Sequence, residues 1–184
     1  MTFYRIFRHG AKSYDIINRM LAYVFPNRYN LVVVDLNFGL GRFYRIARKR
    51  IMYLIGVDIL KHLWETKPDA FYQMPCQLFV HKVIKGEIEL PQHVDLVVVD
   101  PPWSNNKRGV FPRKIGISHM PYHTKNVNTN AIIMAAEKLA AHIHAKLLYR
   151  YNEFLTCNHI IKVEVNVNIM KNTGIIYYGI CSFE

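Results

Sequence analysis

The sequence predicts an α/β fold on a mostly parallel sheet, and three features of its patterning carry that prediction. Short apolar runs recur at Leu31–Val34, Met52–Val57 and Leu96–Val99. Continuous rather than alternating apolar character marks strands that are covered on both faces. These runs alternate with segments of helical spacing, which is the order of βαβ units. Each run also stops at an acid, namely Asp35, Asp58 and Asp100. Carboxylates therefore gather on one rim, the carboxyl ends of the strands, where ligands of such sheets bind.

Taken in order, residues 1–28 form a basic and helical N-terminal segment. Residues 1–12 read as a basic, aromatic arm able to touch phosphate, and Ser13 caps a helix with Ile16, Ile17, Met20, Leu21 and Val24 at helical spacing, closed by Pro26. Leu31–Val34 is the first strand, ending at Asp35. Asn37, Phe38, Gly39 and Gly41 then make a turn into a helix predicted over 42–50. Glycines let a backbone approach a ligand closely, and a helix N-terminus offers free N–H groups. The second strand ends at Asp58, placed to accept hydrogen bonds from ribose hydroxyls, with Ile59 beside it.

A short helical stretch is expected at 59–65, a third strand at 71–74 running into Pro75-Cys76-Gln77, a helix at 78–85 and a loop at 86–93. The fourth strand, 95–99, meets Asp100-Pro101-Pro102-Trp103. A strand interior does not tolerate two prolines, so this is a rigid corner suited to a flat, hydrogen-bonding substrate. Residues 104–128 lose periodicity and read as a mobile substrate loop, in which Lys107, Arg108, Arg113 and Lys114 interleave with aromatic residues, a pattern that suits phosphate contact with base stacking. Thr129 or Asn130 caps a helix carrying Ile132, Ala136, Leu139, Ala140 and Ile143, and 146–151 is a fifth strand. The tail alternates cleanly from Ile161 to Ile169, turns at Lys171-Asn172-Thr173-Gly174 and returns over 175–181 as an antiparallel hairpin.

Composition narrows the function classes. Hydrophobic residues make up 51% and charged residues 20%, a globular and not a disordered balance. Twenty-four basic against 13 acidic residues give a net charge of +11, which favours a polyanionic partner, most simply DNA or RNA. No apolar run approaches the roughly 18 residues that span a bilayer, and no signal-peptide pattern is present, so no membrane partner is expected. The three cysteines, Cys76, Cys157 and Cys181, fit no pairing motif. They are expected as free thiols in a reducing compartment, the cytoplasm, or the host cytoplasm for a viral source. No cysteine or histidine cluster has zinc spacing, and no metal is expected. The whole of 1–184 reads as a single domain without a separate target-recognition domain, and both monomer and homodimer remain open.

These residues resemble the class I S-adenosylmethionine-dependent methyltransferases, in particular the amino-methyltransferases of nucleic acids. Asp35-Leu36-Asn37-Phe38-Gly39-Leu40-Gly41 matches their DxxxGxG turn, Asp58 their ribose-binding acid, and Asp100-Pro101-Pro102-Trp103 their catalytic motif in its DPPW form. The resemblance spans about residues 30–182. It implies a seven-stranded, mostly parallel Rossmann-like methyltransferase sheet with helices on both faces and an antiparallel C-terminal hairpin. It implies S-adenosyl-L-methionine held by Asp35, Asn37, Phe38, Gly39, Gly41, Asp58, Ile59 and Cys76. It further implies methylation of an exocyclic amine, adenine N6 in DNA first, with an adenine or guanine of rRNA or tRNA as the alternative. A non-catalytic RNA-binding or assembly module on the same fold is the reading from a different class. The family's acid after the third strand is replaced by Pro75-Cys76-Gln77. A Pro-Cys nucleophile, as in cytosine-C5 methyltransferases, belongs after the fourth strand, so Cys76 is read as a small hydrophobe at the cofactor pocket.

Overall fold

The computed structural model describes residues 2–6, 13–61, 63–101, 129–150, 157–169 and 172–183. Its strands are β1 (Thr2–Ile6), β2 (Leu31–Asp35), β3 (Ile51–Asp58), β4 (Ala70–Gln73), β5 (Leu96–Val99), β6 (Lys146–Arg150), β7 (Asn158–Ile169) and β8 (Asn172–Ser182). They form one sheet in the order β1-β7-β8-β6-β5-β2-β3-β4. The run from β4 to β6 is parallel, and β8 is inserted antiparallel between β6 and β7. This is the mostly parallel sheet with an antiparallel C-terminal hairpin that the sequence predicts, with one strand more. Among the described residues no helix is long and apolar enough to cross a membrane.

The continuous apolar runs are explained by cover on both faces. Along β2 and β5 the residues alternate between two cores: Leu31, Val33, Leu96 and Val98 join one, while Val32, Val34, Val97 and Val99 join the other. Helix α1 (Ser13–Val24) closes the first core with Ile16, Ile17, Met20 and Leu21, all buried and at helical spacing. Helices α3 (Cys76–Ile84) and α4 (Thr129–His142) close the second, with Phe79, Val80, Ile132, Ala136, Leu139 and Ala140 packed inward. The small residues Ala136 and Ala140 let α4 lie close to the sheet. At the amino end of the sheet Asp95 is buried and accepts the Val32 N–H at 2.8 Å, with Arg28 and His93 each 2.8 Å from its other oxygen.

Four features depart from the expectations. The N-terminal stretch supplies an eighth strand: β1 pairs in parallel with β7, from Thr2↔Ile161 to Ile6↔Val165. A long hairpin leaves one edge of β7 open, and a strand of β-forming residues satisfies its unpaired N–H and C=O groups. The helix expected over 42–50 is only α2 (Tyr44–Ala47), tightened at once into a 3₁₀ turn over Arg48–Arg50. The described residues of 59–65 hold no helix. That stretch is caught from outside instead: the Glu65 N–H bonds the Leu40 carbonyl at 2.9 Å and Arg42 pairs with Glu65 at 2.6 Å. Finally, Cys157 and Cys181 are joined in a disulfide across the open end of the β7–β8 hairpin, with Cα atoms 5.8 Å apart. The expectation of three free thiols is corrected to one, Cys76. The pairing was invisible in sequence because only the hairpin register brings positions 24 apart together.

Candidate active site

The carboxyl ends of β2, β3, β5 and β6 carry Asp35, Asp58, Asp100 and Arg150, and the parallel register brings all four to one rim. The glycine turn that follows β2 is tied down on both sides. The Asp35 carboxylate accepts the Asn37 N–H at 2.9 Å and the Tyr44 hydroxyl at 2.7 Å. Asp58 accepts the Gly39 N–H at 2.8 Å through one oxygen and the Leu60 N–H at 3.0 Å through the other. Gly39 and Gly41 have φ of +53° and +71°, the left-handed region that favours glycine. Gly41 is required on a second ground, since a Cβ there would lie 2.3 Å from the Thr66 carbonyl oxygen.

Asp35 is only 2% exposed, and burial pushes its carboxyl up to about 7 against the lowering effect of the Tyr44 and Asn37 hydrogen bonds. Both its oxygens face the turn, so Asp35 shapes the loop from within. Phe38 does the same with its ring. Its side chain is buried, stacks on Tyr44 at 5.7 Å and lies against Gly56 of β3, where a Cβ would come within 2.8 Å of the ring. It fills the floor under the turn, and Gly56 is the hole that admits it. Gly56 was missed by the sequence reading, although a glycine inside an apolar strand is the signal for such a close approach.

Cys76 opens α3 beneath Asp58 and is buried with Phe79, Val80 and Val83. Burial pushes its thiol up to about 11, so it is protonated at neutral pH and does not serve as a nucleophile. Ile59 is half-buried beyond the end of β3, where its carbonyl accepts a 3.4 Å hydrogen bond from Gln73.

Asp100 follows the last residue of β5, and Arg150 ends the neighbouring β6, with Val99 and Tyr149 paired between the two strands. The guanidinium of Arg150 stands 3.6 Å from Asp100 Oδ1, an ion pair too long for a hydrogen bond. Burial raises the Asp100 carboxyl above the usual carboxylate range, and Arg150 works against that shift. Tyr178 of β8 is buried opposite Arg150, its phenol raised by burial and by the Asp100 charge, and so stays neutral. Arg150 was not singled out in the sequence. Its position at the end of a predicted strand was the available signal.

Among the described residues, two buried acceptors on this rim have no hydrogen-bond partner: Asp100 Oδ1 and Asn37 Oδ1. An unpaired buried acceptor costs about 1–3 kcal/mol, so a donor that reached either oxygen would be stabilised there. The glycine turn, with its lack of side chains, and Asn37 beside Asp58 fit a nucleoside-type cofactor bearing hydroxyl and amine donors. Pro101 is buried next to Asp100. Pro102, Trp103, Lys107, Arg108, Arg113 and Lys114 lie outside the described residues.

No protein-family model matches this chain, and no curated protein does. Solved structures do. The N-methyltransferase NodS from Bradyrhizobium japonicum WM9 superimposes with a TM-score of 0.55 at 7% identity, over 93% of this chain and 94% of that one. The putative methyltransferase yhhF from Escherichia coli gives 0.50 at 12% identity, over 95% and 87%. At such identities the likeness is one of architecture: the chain has the Rossmann-like methyltransferase fold along nearly its whole length.

Proposed function

We propose that this chain is an S-adenosylmethionine-dependent methyltransferase acting on the exocyclic amine of a nucleic-acid base, adenine N6 in DNA. The observation that carries the proposal is Asp100 Oδ1, a buried carboxylate oxygen at the end of a central strand with no hydrogen-bond partner among the described residues. On the same rim stands a glycine turn braced by Asp35 and Asp58. S-adenosylmethionine supplies the electrophilic methyl group. Asp35, Asn37, Gly39, Gly41, Asp58 and Ile59 would hold it, the glycines by admitting close backbone contact.

An exocyclic amine is a weak nucleophile because its lone pair is delocalised into the ring. Asp100 and the Pro101 carbonyl accept its two N–H bonds in this reading, drawing the nitrogen toward tetrahedral geometry and freeing the lone pair. The proline after Asp100 fixes the corner, so the acceptors are preorganised before the base arrives. Trp103 stacks on the base, and Lys107, Arg108, Arg113 and Lys114 hold the phosphate backbone. The net charge of +11 suits a polyanion, and a base within a duplex would have to be flipped out.

Nucleoside mass spectrometry after incubation with unmethylated DNA and with RNA tests the reading. N6-methyldeoxyadenosine from DNA is the expected product. The same mark confined to RNA moves the substrate to RNA and leaves the chemistry standing. Asp100→Ala is expected to abolish transfer while titration calorimetry still detects S-adenosylmethionine binding. Retained transfer by that variant would sink the mechanism.

A further inference from the structure

We infer that Arg45 and Lys49 bind phosphates of a nucleic-acid strand beyond the reacting base, and that Tyr29 stacks on one of its unpaired bases. The inference rests on the nucleic-acid reading above. It adds a surface outside the pocket, on the side of the sheet that α1 and α2 cover.

Residues 42–50 hold five cations, Arg42, Arg45, Arg48, Lys49 and Arg50, and no acid. The structure gives them two tasks. Arg48 grips both oxygens of Asp69 at 2.8 Å, and Arg50 is buried, donating to the Phe25 and Arg28 carbonyls at 3.3 and 2.9 Å. These two hold the fold together. Arg42, Arg45 and Lys49 are exposed, and their spacing of three and four residues lines them along one helical face. Tyr44 and Ala47 turn the other face into the core. Arg42 follows Gly41 at the rim and is paired with Glu65. Among the described residues Arg45 and Lys49 meet no acid, and the Arg45 guanidinium rests on the Tyr14 ring at 5.4 Å.

This row of cations leads from the rim toward the amino end of the sheet, where Lys49 stands two residues before β3. There the Arg50 guanidinium lies 4.8 Å from the Tyr29 ring centre, and Tyr29 is 62% exposed. Met52, the extra residue where the β2–β3 register shifts, and Tyr53 are exposed at the same end. Cations that track a backbone, next to an exposed ring with cationic support, form the arrangement that binds single strands. A duplex offers phosphates but no open base face. An acidic peptide would use the cations and leave the ring idle.

Fluorescence anisotropy with a labelled single strand of about 20 nucleotides, titrated over a range of salt, tests this. Arg45→Gln/Lys49→Gln should lower the slope of log K against log salt by about 1.4, at about 0.7 per phosphate contact, or about 25-fold in affinity at about 0.1 M. Lys85→Gln/Lys138→Gln removes the same charge from exposed positions on α3 and α4, across the sheet, and should change the slope by less than half as much. Tyr29→Ala should weaken binding about fivefold to 150-fold with the slope unchanged, the range for one stacked base. All five positions are exposed, and thermal melts check that the variants fold. Equal losses in the two charge variants overturn the inference, and so does Tyr29→Ala binding like the wild type. A wild type that prefers a duplex of equal length, or releases the strand equally well to polyglutamate, overturns it without any variant. A wild type that binds neither DNA nor RNA, single or double stranded, overturns the nucleic-acid reading itself.

Discussion

Asp35→Asn should remove a steep, one-directional pH dependence from the stability of the protein. Asp35 is 2% exposed, and burial raises its carboxyl from the ordinary 3.8 to about 7. Below pH 4 the folded and unfolded chains both hold the proton. Between about 4 and 7 the unfolded chain has released it and the folded chain has not, so stability falls as pH rises. At about 1.4 kcal/mol per pH unit the interval amounts to about 4 kcal/mol, a large part of the 5–15 kcal/mol typical of a folded domain. An asparagine can still accept the Asn37 N–H and donate toward the Tyr44 oxygen, and whatever that exchange costs does not change with pH. The assay is urea unfolding of both proteins, with the disulfide intact, from pH 4.5 to 8.5. The wild type is expected to lose about 3 kcal/mol relative to the variant across that range, with the loss levelling off above pH 7. Asp58 and Asp100 are common to both chains and largely cancel. A stability difference that stays flat with pH would refute the assignment of the buried charge to Asp35.

Two further outcomes test the packing on which the site rests. Gly56→Ala places a Cβ 2.8 Å from the Phe38 ring and should cost about 1–3 kcal/mol. In a Phe38→Leu background most of that cost should vanish, and two additive penalties in urea unfolding would show that the ring does not lie over Gly56. Breaking the Cys157–Cys181 disulfide, by reduction or by Cys157→Ser, opens a loop of 24 positions and should cost about 3.5 kcal/mol, or about 10 °C in Tm. Equal melting temperatures with and without reductant would mean that the bond does not form in solution.

What the sequence revealed and what it hid follow from the range of the interactions involved. Leu31–Val34 and Leu96–Val99 were legible because strands buried on both faces are apolar without interruption. Asp35, Asp58 and Asp100 were legible because they sit where those runs stop. The helix Ser13–Val24 announced itself through the spacing of its buried face. Strand β1 was not legible, because its structure depends on an edge of β7 formed more than 150 residues later. Local spacing at 59–65 suggested a helix, but hydrogen bonds from the glycine turn and the ion pair to Arg42 decided otherwise. Phe38 was read only as part of the glycine turn, and only the neighbouring strand, with Gly56 opposite, shows that its ring has a hole to enter. Arg150 belongs to the same class, since nothing local to position 150 says that β5 and β6 are neighbours.

The hydrogen-bond inventory of the rim separates its three acids by task. A carboxylate offers about four lone-pair sites across its two oxygens. Asp35 gives both oxygens to the turn and is closed off from solvent. Asp58 also holds the turn, through Gly39 and Leu60, but it is only half-buried, and each oxygen has used one of its sites. It can brace the loop and still accept a hydroxyl from outside. Among the described residues Asp100 keeps Oδ1 without a hydrogen-bond partner, and the Arg150 charge nearby offsets part of its burial. At Asp35 the hydrogen bonds of the turn offset part of the desolvation from within the fold. At Asp100 the Arg150 charge offsets part of the burial, and an amine held there would bring a donor to Oδ1. The same deficit that costs stability in the free protein is thus the source of binding energy at the atom where methyl transfer is proposed.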